Sequence, residues 1–313
     1  MAISRAQMMK ELLPGLNALF GMEYGSYDNE HEDIYEMETS DRAFEEEVQL
    51  SGFGSAPVKS EGSAIAYDTA QETFTARYNH ETIALGFSIT EEAIEDNLYD
   101  SLSARYTKAL ARAAANTKQV KAAFPLNNGF TNAYQSGDGV NLFTSVNDGV
   151  SGGDGHPVVS GTKNSNRPAT ASDLNETSLE QAVIDIGKYT DQRGLKIAAR
   201  PVRLIIPSEL QFVATRILDT ELRPSTADND INALRTNGAI PEGYRINHYL
   251  TDSEGDAWFV ITDVPNGMKG FTRTPMQTSM DGDFDTGNVR YKCRERYSFG
   301  VSDPLGIYGS PGA

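Results

Sequence analysis

Apolar positions recur along this chain in two rhythms, and the switch between them predicts its elements. Ile83, Leu85, Phe87 and Ile89 repeat with period two, the mark of a half-buried strand. Upstream, Ile65 and Tyr67, then Phe74, Ala76 and Tyr78, alternate with small or polar residues behind turn signals at Gly52, Gly54, Pro57 and Gly62. Two long strands joined through a polar, glycine-bearing tip are expected. Such a hairpin buries too little to stand alone and should lean on something else.

From Thr90 the period becomes helical, with Ile94, Leu98, Leu102, Tyr106, Ala109 and Ala113 on one side. Ser88 and Glu91 have capping-box spacing. Glu91, Glu92, Glu95, Asp96 and Asp100 load the first turns and Lys108, Arg112, Lys118 and Lys121 the later ones, as the helix dipole favours. Pro125 should end the pattern. A helix over 90–124 would be roughly 50 Å long at about 1.5 Å per residue, a spine that needs support along its length.

The remainder is mixed. Residues 127–172 read as loops with a short strand over Val140–Phe143. A helix starts at Asp173 or Thr177, with a capping box at Thr177 and Glu180, and buries Leu179, Ala182, Val183 and Ile186. Val202–Ile206 is a buried strand. Ser208 caps a second helix with Leu210, Val213, Ala214, Ile217 and Leu218 inward. Tyr244–Leu250 and Ala257–Thr262 are expected to pair as a hairpin. Over Val289–Val301 one face carries Val289, Tyr291, Cys293, Tyr297 and Phe299, the other Arg290, Lys292, Arg294 and Arg296. Strands and helices without regular alternation indicate an α+β fold.

Charge changes the picture at both ends. Of the 313 residues, 44 are acidic and 27 basic, a net charge of −17 that argues against sequence-specific duplex binding. Ten acids crowd 28–47, interleaved with Tyr24, Tyr27, Ile34, Tyr35, Met37 and Phe44. Acids alone would suggest a solvated run; the aromatics need something to bury against, so an arm on a partner surface is expected. Four like charges at two-residue spacing on the last strand repel unless anions lie opposite. The acidic arm of another copy is the preferred counter-ion, over packaged nucleic acid.

Catalytic, cofactor-binding and metal sites are not expected. Gly152-Gly153-Asp154-Gly155 lacks the lysine and hydroxyl of a phosphate loop. Asp281, Asp283 and Asp285 have calcium-loop spacing, but Lys292 falls where the closing acid belongs, so a hairpin turn is expected. No zinc-type pair links His31, His80, His156 and His248, and His31 and His156 read as solvated. A spatial triad stays open, since triads are defined by geometry, but no nucleophile elbow supports one. Cys293 rules out an intrachain disulfide, fits a reducing compartment and reads as a buried small apolar residue. No apolar run is long enough to span a membrane, and the Pro14-Gly15 break argues against a signal peptide.

The order of arm, hairpin, spine helix, α+β portion and final strand resembles the Hong Kong 97-type fold of tailed-bacteriophage major capsid proteins. Glu11 to Tyr24 looks like the amino end of many phage head subunits, and Glu295 to Ser310 like their carboxyl end. The resemblance covers essentially the whole chain; its ends are the more specific part. It implies an N-terminal arm over 1–48, an E-loop over 49–87 and a peripheral domain over 88–172 that carries the spine helix. An axial domain would occupy 173–267, and 268–313 would return to the peripheral domain.

The resemblance also implies a non-enzymatic major head protein that self-assembles, as hexamers and pentamers, into an icosahedral shell around double-stranded DNA, contacted non-specifically. It would sit in the virion after assembly in the host bacterial cytoplasm. Some relatives carry a cleaved scaffolding segment; none is expected in a chain starting at Met1, which implies a separate scaffolding protein, with a portal and a decoration protein as further partners. Some relatives cross-link through an E-loop lysine. Lys59 is the only lysine in this E-loop and no accompanying motif supports a cross-link, so the contacts are expected to be non-covalent. Expected inter-subunit contacts are Glu45, Glu46, Glu47, Lys59, Tyr67, Arg290, Lys292, Arg294 and Arg296. A nanocompartment shell, a phage tail component and, further off, a hydrolase are the competing readings.

Overall fold

The structure is a computed structural model that describes residues 5–90, 92, 99–146, 155–161, 163–222, 230–251, 256–283 and 287–313. Two four-stranded sheets and a two-stranded ribbon organise these residues. The first sheet has the order β1-β8-β9-β4: β1 (Glu36–Thr39), β8 (Met268–Gly282), β9 (Val289–Val301) and β4 (Glu81–Ile89). The second has the order β10-β7-β5-β6: β10 (Ile307–Ser310), β7 (Trp258–Thr262), β5 (Pro201–Ile206) and β6 (Tyr244–Ile246). The ribbon joins β2 (Phe44–Leu50) to β3 (Glu72–Asn79).

β9 spans the residues that the alternation predicts. Val289, Tyr291, Cys293 and Tyr297 are buried, while Arg290, Lys292 and Arg294 are exposed. The buried side meets two helices, α1 (Arg5–Tyr24) and α2 (Tyr99–Asn128), through Leu16, Phe20, Leu110, Ala111 and Ala114. Phe87 of β4 closes this core, with its ring 5.6 Å from that of Tyr291 and 5.7 Å from that of Tyr106. The long helix was expected over 90–124. Residues 91 and 93–98 lie outside the described residues, and the helix runs past Pro125 to Asn128.

Pro125 has no N–H to close the turn behind it, so tertiary contacts hold the last turn instead. Leu126 is fully buried, and the Asn127 amide donates to the Tyr249 carbonyl at 3.0 Å. α1 likewise continues through Pro14 and Gly15, which lie on its exposed side while Leu16 and Phe20 anchor the buried one.

The second sheet is buried on both faces. One face packs on α3 (Glu176–Ile186), α4 (Gln211–Leu218) and α5 (Ala233–Thr236), with Trp258, Val260, Leu204, Ile206 and Tyr308 in the sheet. The opposite face presents Ile205, Phe259 and Ile307 to Leu142, Phe143 and the end of α2. Met268 and Val301 of the first sheet reach the same cluster, so a single apolar joint ties the two sheets. Gly309 is required there: a Cβ would fall 2.8 Å from the Phe143 ring and 2.9 Å from that of Phe259.

Several expectations are corrected. The ribbon is not made of strands at 65–78 and 83–89. β2 begins inside the expected arm and pairs with β3, while β4 pairs with β9 in the first sheet. Val140–Phe143 forms no strand; only an isolated bridge joins Gln135 and Asn141. β6 and β7 are not a hairpin, since β6 runs parallel to β5 and β7 antiparallel to it; the supposed tip, 252–255, lies outside the described residues. The box that caps α3 is Asn175 with Ser178, earlier in the chain than the expected Thr177. Ser208 opens a 3-10 turn and bonds to Glu209, leaving α4 without a side-chain cap. Met268–Gly282 and Val289–Val301 lie in the first sheet, but Ile307–Ser310 crosses to the second.

The acidic stretch is not a free arm. After a short 3-10 turn (Glu30–Asp33), β1 pairs in parallel with β8. Tyr35 donates its hydroxyl to the Ala122 carbonyl at 2.7 Å, and Asp33 and Glu30 meet Arg203 and His248 at 3.1 and 2.7 Å. The interleaved aromatics find their burial on the chain itself. Truncating Phe143 to alanine should lower stability by about 3–5 kcal/mol, because the joint of stacked rings cannot collapse to fill the space. Denaturant unfolding of the Phe143→Ala chain measures this, with an unchanged slope expected.

Candidate assembly surfaces

Buried charges fasten the ribbon and the first helix to the first sheet. Parity along β9 puts Glu295 on the apolar side, where Lys118 meets it at 2.7 Å and the Tyr24 hydroxyl donates to it at 3.1 Å. Burial, together with the neighbouring Glu295 charge, pushes the Tyr24 phenol far above its usual range. Lys269 is buried between Glu47 at 2.6 Å and Glu38 at 3.1 Å. Burial alone would favour its neutral form, but the two carboxylates outweigh it and raise its pKa. Sequence reasoning passed over both pairs. The odd position of Glu295 within an apolar row was the one available signal.

The expected contact acids therefore have partners on their own chain. Glu47 takes Lys269 and a hydroxyl from Ser302, Glu45 accepts from Ser40 at 2.7 Å, and Glu46 lies 3.6 Å from Arg77. The structure does not bring them to the basic row. That row projects from the side of the first sheet away from the helices. Thr82, Ala84, Gly86 and Ser88 on β4 and Gln277 and Ser279 on β8 flank it, and Asp281 on β8 lies opposite Arg290. Arg290 meets Asp283 at 2.5 Å. Among the described residues, Lys292 and Arg294 have no carboxylate within ion-pair distance.

Among the described residues, the two most exposed large apolar side chains lie on the 51–71 loop. Val58 is 97% exposed and Tyr67 94%, with Phe53, Ile65 and Leu50 also largely open. Lys59 lies on the same loop, exposed. The base of the loop is held firmly. Arg193 grips Asp68 with two contacts of 2.8 Å, the Gly54 amide donates to Asp68 at 2.8 Å, and Gln49 donates to Asp303 at 3.0 Å. A backbone donor from Gly54 and the Arg193 guanidinium hold the Asp68 carboxyl below its usual range.

Three histidines are buried and hydrogen-bonded. His31 and His156, expected in solvent, are buried. The Gln119 side chain donates to His31 Nδ1 at 3.0 Å, and its carbonyl accepts from the His31 amide at 3.0 Å. Burial is the main cause that lowers the His31 pKa to about 4, reinforced by the Lys118 charge. His156 faces Asp138 at 2.6 Å and the Leu142 carbonyl at 3.2 Å. Burial works against the Asp138 charge, yet the His156 ring and nearby donors outweigh it and lower its pKa. His80 bridges Ser40 and Ser298 at 3.0 Å each.

Cys293 is buried, and burial raises its thiol pKa. Among the described residues no three His, Cys, Asp or Glu side chains gather to hold a metal, and no helix is long and apolar enough to cross a membrane. Gly287 and Asp283 close a tight β8–β9 connection at the calcium-loop spacing; Asp285 lies outside the described residues, as does most of 152–155.

Residues 72–310 match the family model described as phage capsid protein. Among solved structures, the fold resembles the capsid of a native GTA particle, with 15% identity, 92% of each chain covered and a TM-score of 0.55. It also resembles the capsid of Myoviridae phage XM1, with 11% identity over 88% of this chain and 90% of the other, TM-score 0.53. A virus-like particle from Pyrococcus furiosus aligns over 96% of this chain and 99% of its own at 9% identity, TM-score 0.52. No curated protein matches the sequence.

The buried His31 makes stability pH-dependent. Its folded pKa lies below the unfolded value of about 6.5, so the unfolded chain binds the extra proton between pH 6.5 and 4. Stability should fall across that window as pH falls, by on the order of 3 kcal/mol from this group. Comparing denaturant midpoints of the parent and His31→Gln at pH 7 and pH 4.5 isolates the contribution. The parent should show the steeper decline.

Proposed function

From the premise that this chain belongs to the phage capsid protein family, we infer that it is the major shell subunit of a tailed-phage head, assembled from many identical copies. Its role is structural: it stabilises a closed container by contacts between copies, and its residence is the virion. The observation that carries this reading is the 51–71 loop. A segment with fully exposed Val58 and Tyr67, anchored only at its base, has apolar surface that its own fold does not cover. Exposed apolar surface of this kind marks an interaction site. Extended loops bury large areas on neighbours without enlarging the subunit's own core.

In this reading the first sheet with α1 and α2 is the peripheral portion, and the second sheet with its three helices is the axial portion around which hexamers and pentamers form. Residues 51–71 are the reaching part of the E-loop. Lys59 and Tyr67 lie on it as contact residues, and the packing is non-covalent. Assembly in the bacterial host uses a separate scaffolding protein, a portal and a decoration protein. Packaged double-stranded DNA is touched without sequence preference, since the subunit as a whole is strongly negative.

Electron microscopy of particles formed by the expressed chain tests the reading: closed shells support it, and tubes would place the chain in a tail instead. Replacing Val58 and Tyr67 together by Asp should leave the unfolding midpoint of the isolated subunit within about 0.5 kcal/mol of the parent, because neither side chain is buried. The same change should abolish closed particles. A variant that assembles as well as the parent would remove the loop from the contact surface.

A further inference from the structure

Two surfaces of opposite sign lie on the same side of the first sheet, and we propose that they dock head to tail, an acidic hollow on one subunit against the basic row of the next. This rests on the shell-subunit reading above. The hollow, about 350 Å³, lies between β1 and β2 and is walled by Glu38, Asp41, Glu45, Glu46 and Glu47, with Arg42 at its rim and Phe271 in its floor.

The side of the sheet is fixed by register. Glu38 lies opposite Phe271, which lies opposite Ser298, and even-numbered positions of β9 face away from the helices. Arg290, Lys292, Arg294 and Arg296 share that parity, so hollow and row open on one face of one continuous sheet. The ribbon lies on the same face, with Tyr78 seated over Gly300, where a Cβ would lie 2.7 Å from the ring.

Intrachain pairing leaves both surfaces charged. In the hollow, Asp41 is exposed and has no ion pair among the described residues. Glu46 has Arg77 at 3.6 Å, Glu45 has Arg42 at 3.7 Å, and Glu38 and Glu47 share one lysine, so five carboxylates meet three cations. On the row, Lys292 and Arg294 have no carboxylate within ion-pair distance among the described residues. Arg296 extends the row towards Arg273. Both act on His80 and help lower its pKa, after burial, and their Nε–H groups are cut off from water and find no acceptor among the described residues. With Lys292 and Arg294, these two arginines make one continuous positive region along the even side of β9.

A second copy fits better than nucleic acid. Lys292 and Arg294, successive even positions of β9, lie about 6.6 Å apart, and the exposed Asp41 and Glu46 offer two carboxylates to a pair of cations. The net charge of −17 repels a polyanion from most of the molecule, whereas a patch-to-patch contact uses only local charge. The patches differ, so the contact is heterologous. Repeated around an axis, such contacts close rings, the geometry that hexamers and pentamers need.

Charge reversal tests this, using Lys292→Glu with Arg294→Glu, Asp41→Lys with Glu46→Lys, and the fourfold swap. Thermal unfolding confirms folding, sedimentation at low and about 0.5 M salt reads association, and microscopy reads particles. Each double reversal should weaken association at least about tenfold at low salt, and the fourfold swap should restore it. Double reversals that associate like the parent overturn the contact, as does a fourfold swap no better than either double. Normal shells from the Lys292 and Arg294 reversal with less packaged nucleic acid overturn it by assigning the row to DNA. A parent chain that forms no closed particle overturns the shell reading and this contact together; a parent that does, beside reversals that also do, sinks only the contact.

Discussion

The alternation of β9 is the constraint on which the rest of the molecule depends. A strand has two faces and no third option, so thirteen residues had to divide their chemistry between them. The odd positions gather both long helices and accept one buried carboxylate, Glu295, at the cost of bringing in Lys118 and Tyr24 to satisfy it. The even positions carry the cations outward. A slip of one residue in the β8–β9 register would bury four charges and expose Tyr291, Cys293 and Tyr297 together. Few alternative pairings survive that penalty, so β9 sets the frame to which β4, β8 and the helices conform.

The joint between the two sheets solves a different problem. Residues 201–262 build the second sheet largely from their own strands and helices, yet this sheet shows apolar side chains on both faces. Its free face is covered by Phe143, Phe130 and the last turn of α2, with ring centroids between 4.6 and 5.8 Å apart. The helix therefore serves twice: its middle supports β9, and its end plugs the second sheet. This explains why it runs through Pro125. Stopping there would withdraw Leu126 from the joint, a loss comparable to the few kcal/mol that an interior proline costs.

Legibility in the sequence followed the range of the interactions. β9, β5 and the body of the long helix were readable because each carries its own period. The 244–262 segment was misread as a hairpin because adjacency in sequence is a weak guide when a third strand, β5, can insert between two neighbours. Asn175 was passed over because Thr177 offered an equally good local cap, and the choice between them is made by packing. The acidic stretch was assigned to a partner surface because charge counting ignores where Lys269, Arg203 and His248 arrive from, more than 160 residues away. His31 and His156 carried no sequence signal at all; burial of a lone histidine is decided by what folds over it.

Folding the acidic stretch onto its own chain narrows what remains for sister copies and sharpens it. A free arm with ten acids would be a diffuse polyanion, costly to order and able to attach in many registers. Strapped across both sheets by Tyr35, Asp33 and Glu30, the same residues become a fixed wall of carboxylates around a hollow. A fixed wall costs little further entropy when it meets a partner and accepts only one orientation. The 51–71 loop is the opposite case, with exposed apolar side chains, a rigid base and no cover from its own fold. A shell must be specific in register yet tolerate six-fold and five-fold surroundings. In the proposed contacts, rigid charged surfaces give the first property and a reaching loop the second, both on one sheet and the ribbon beside it.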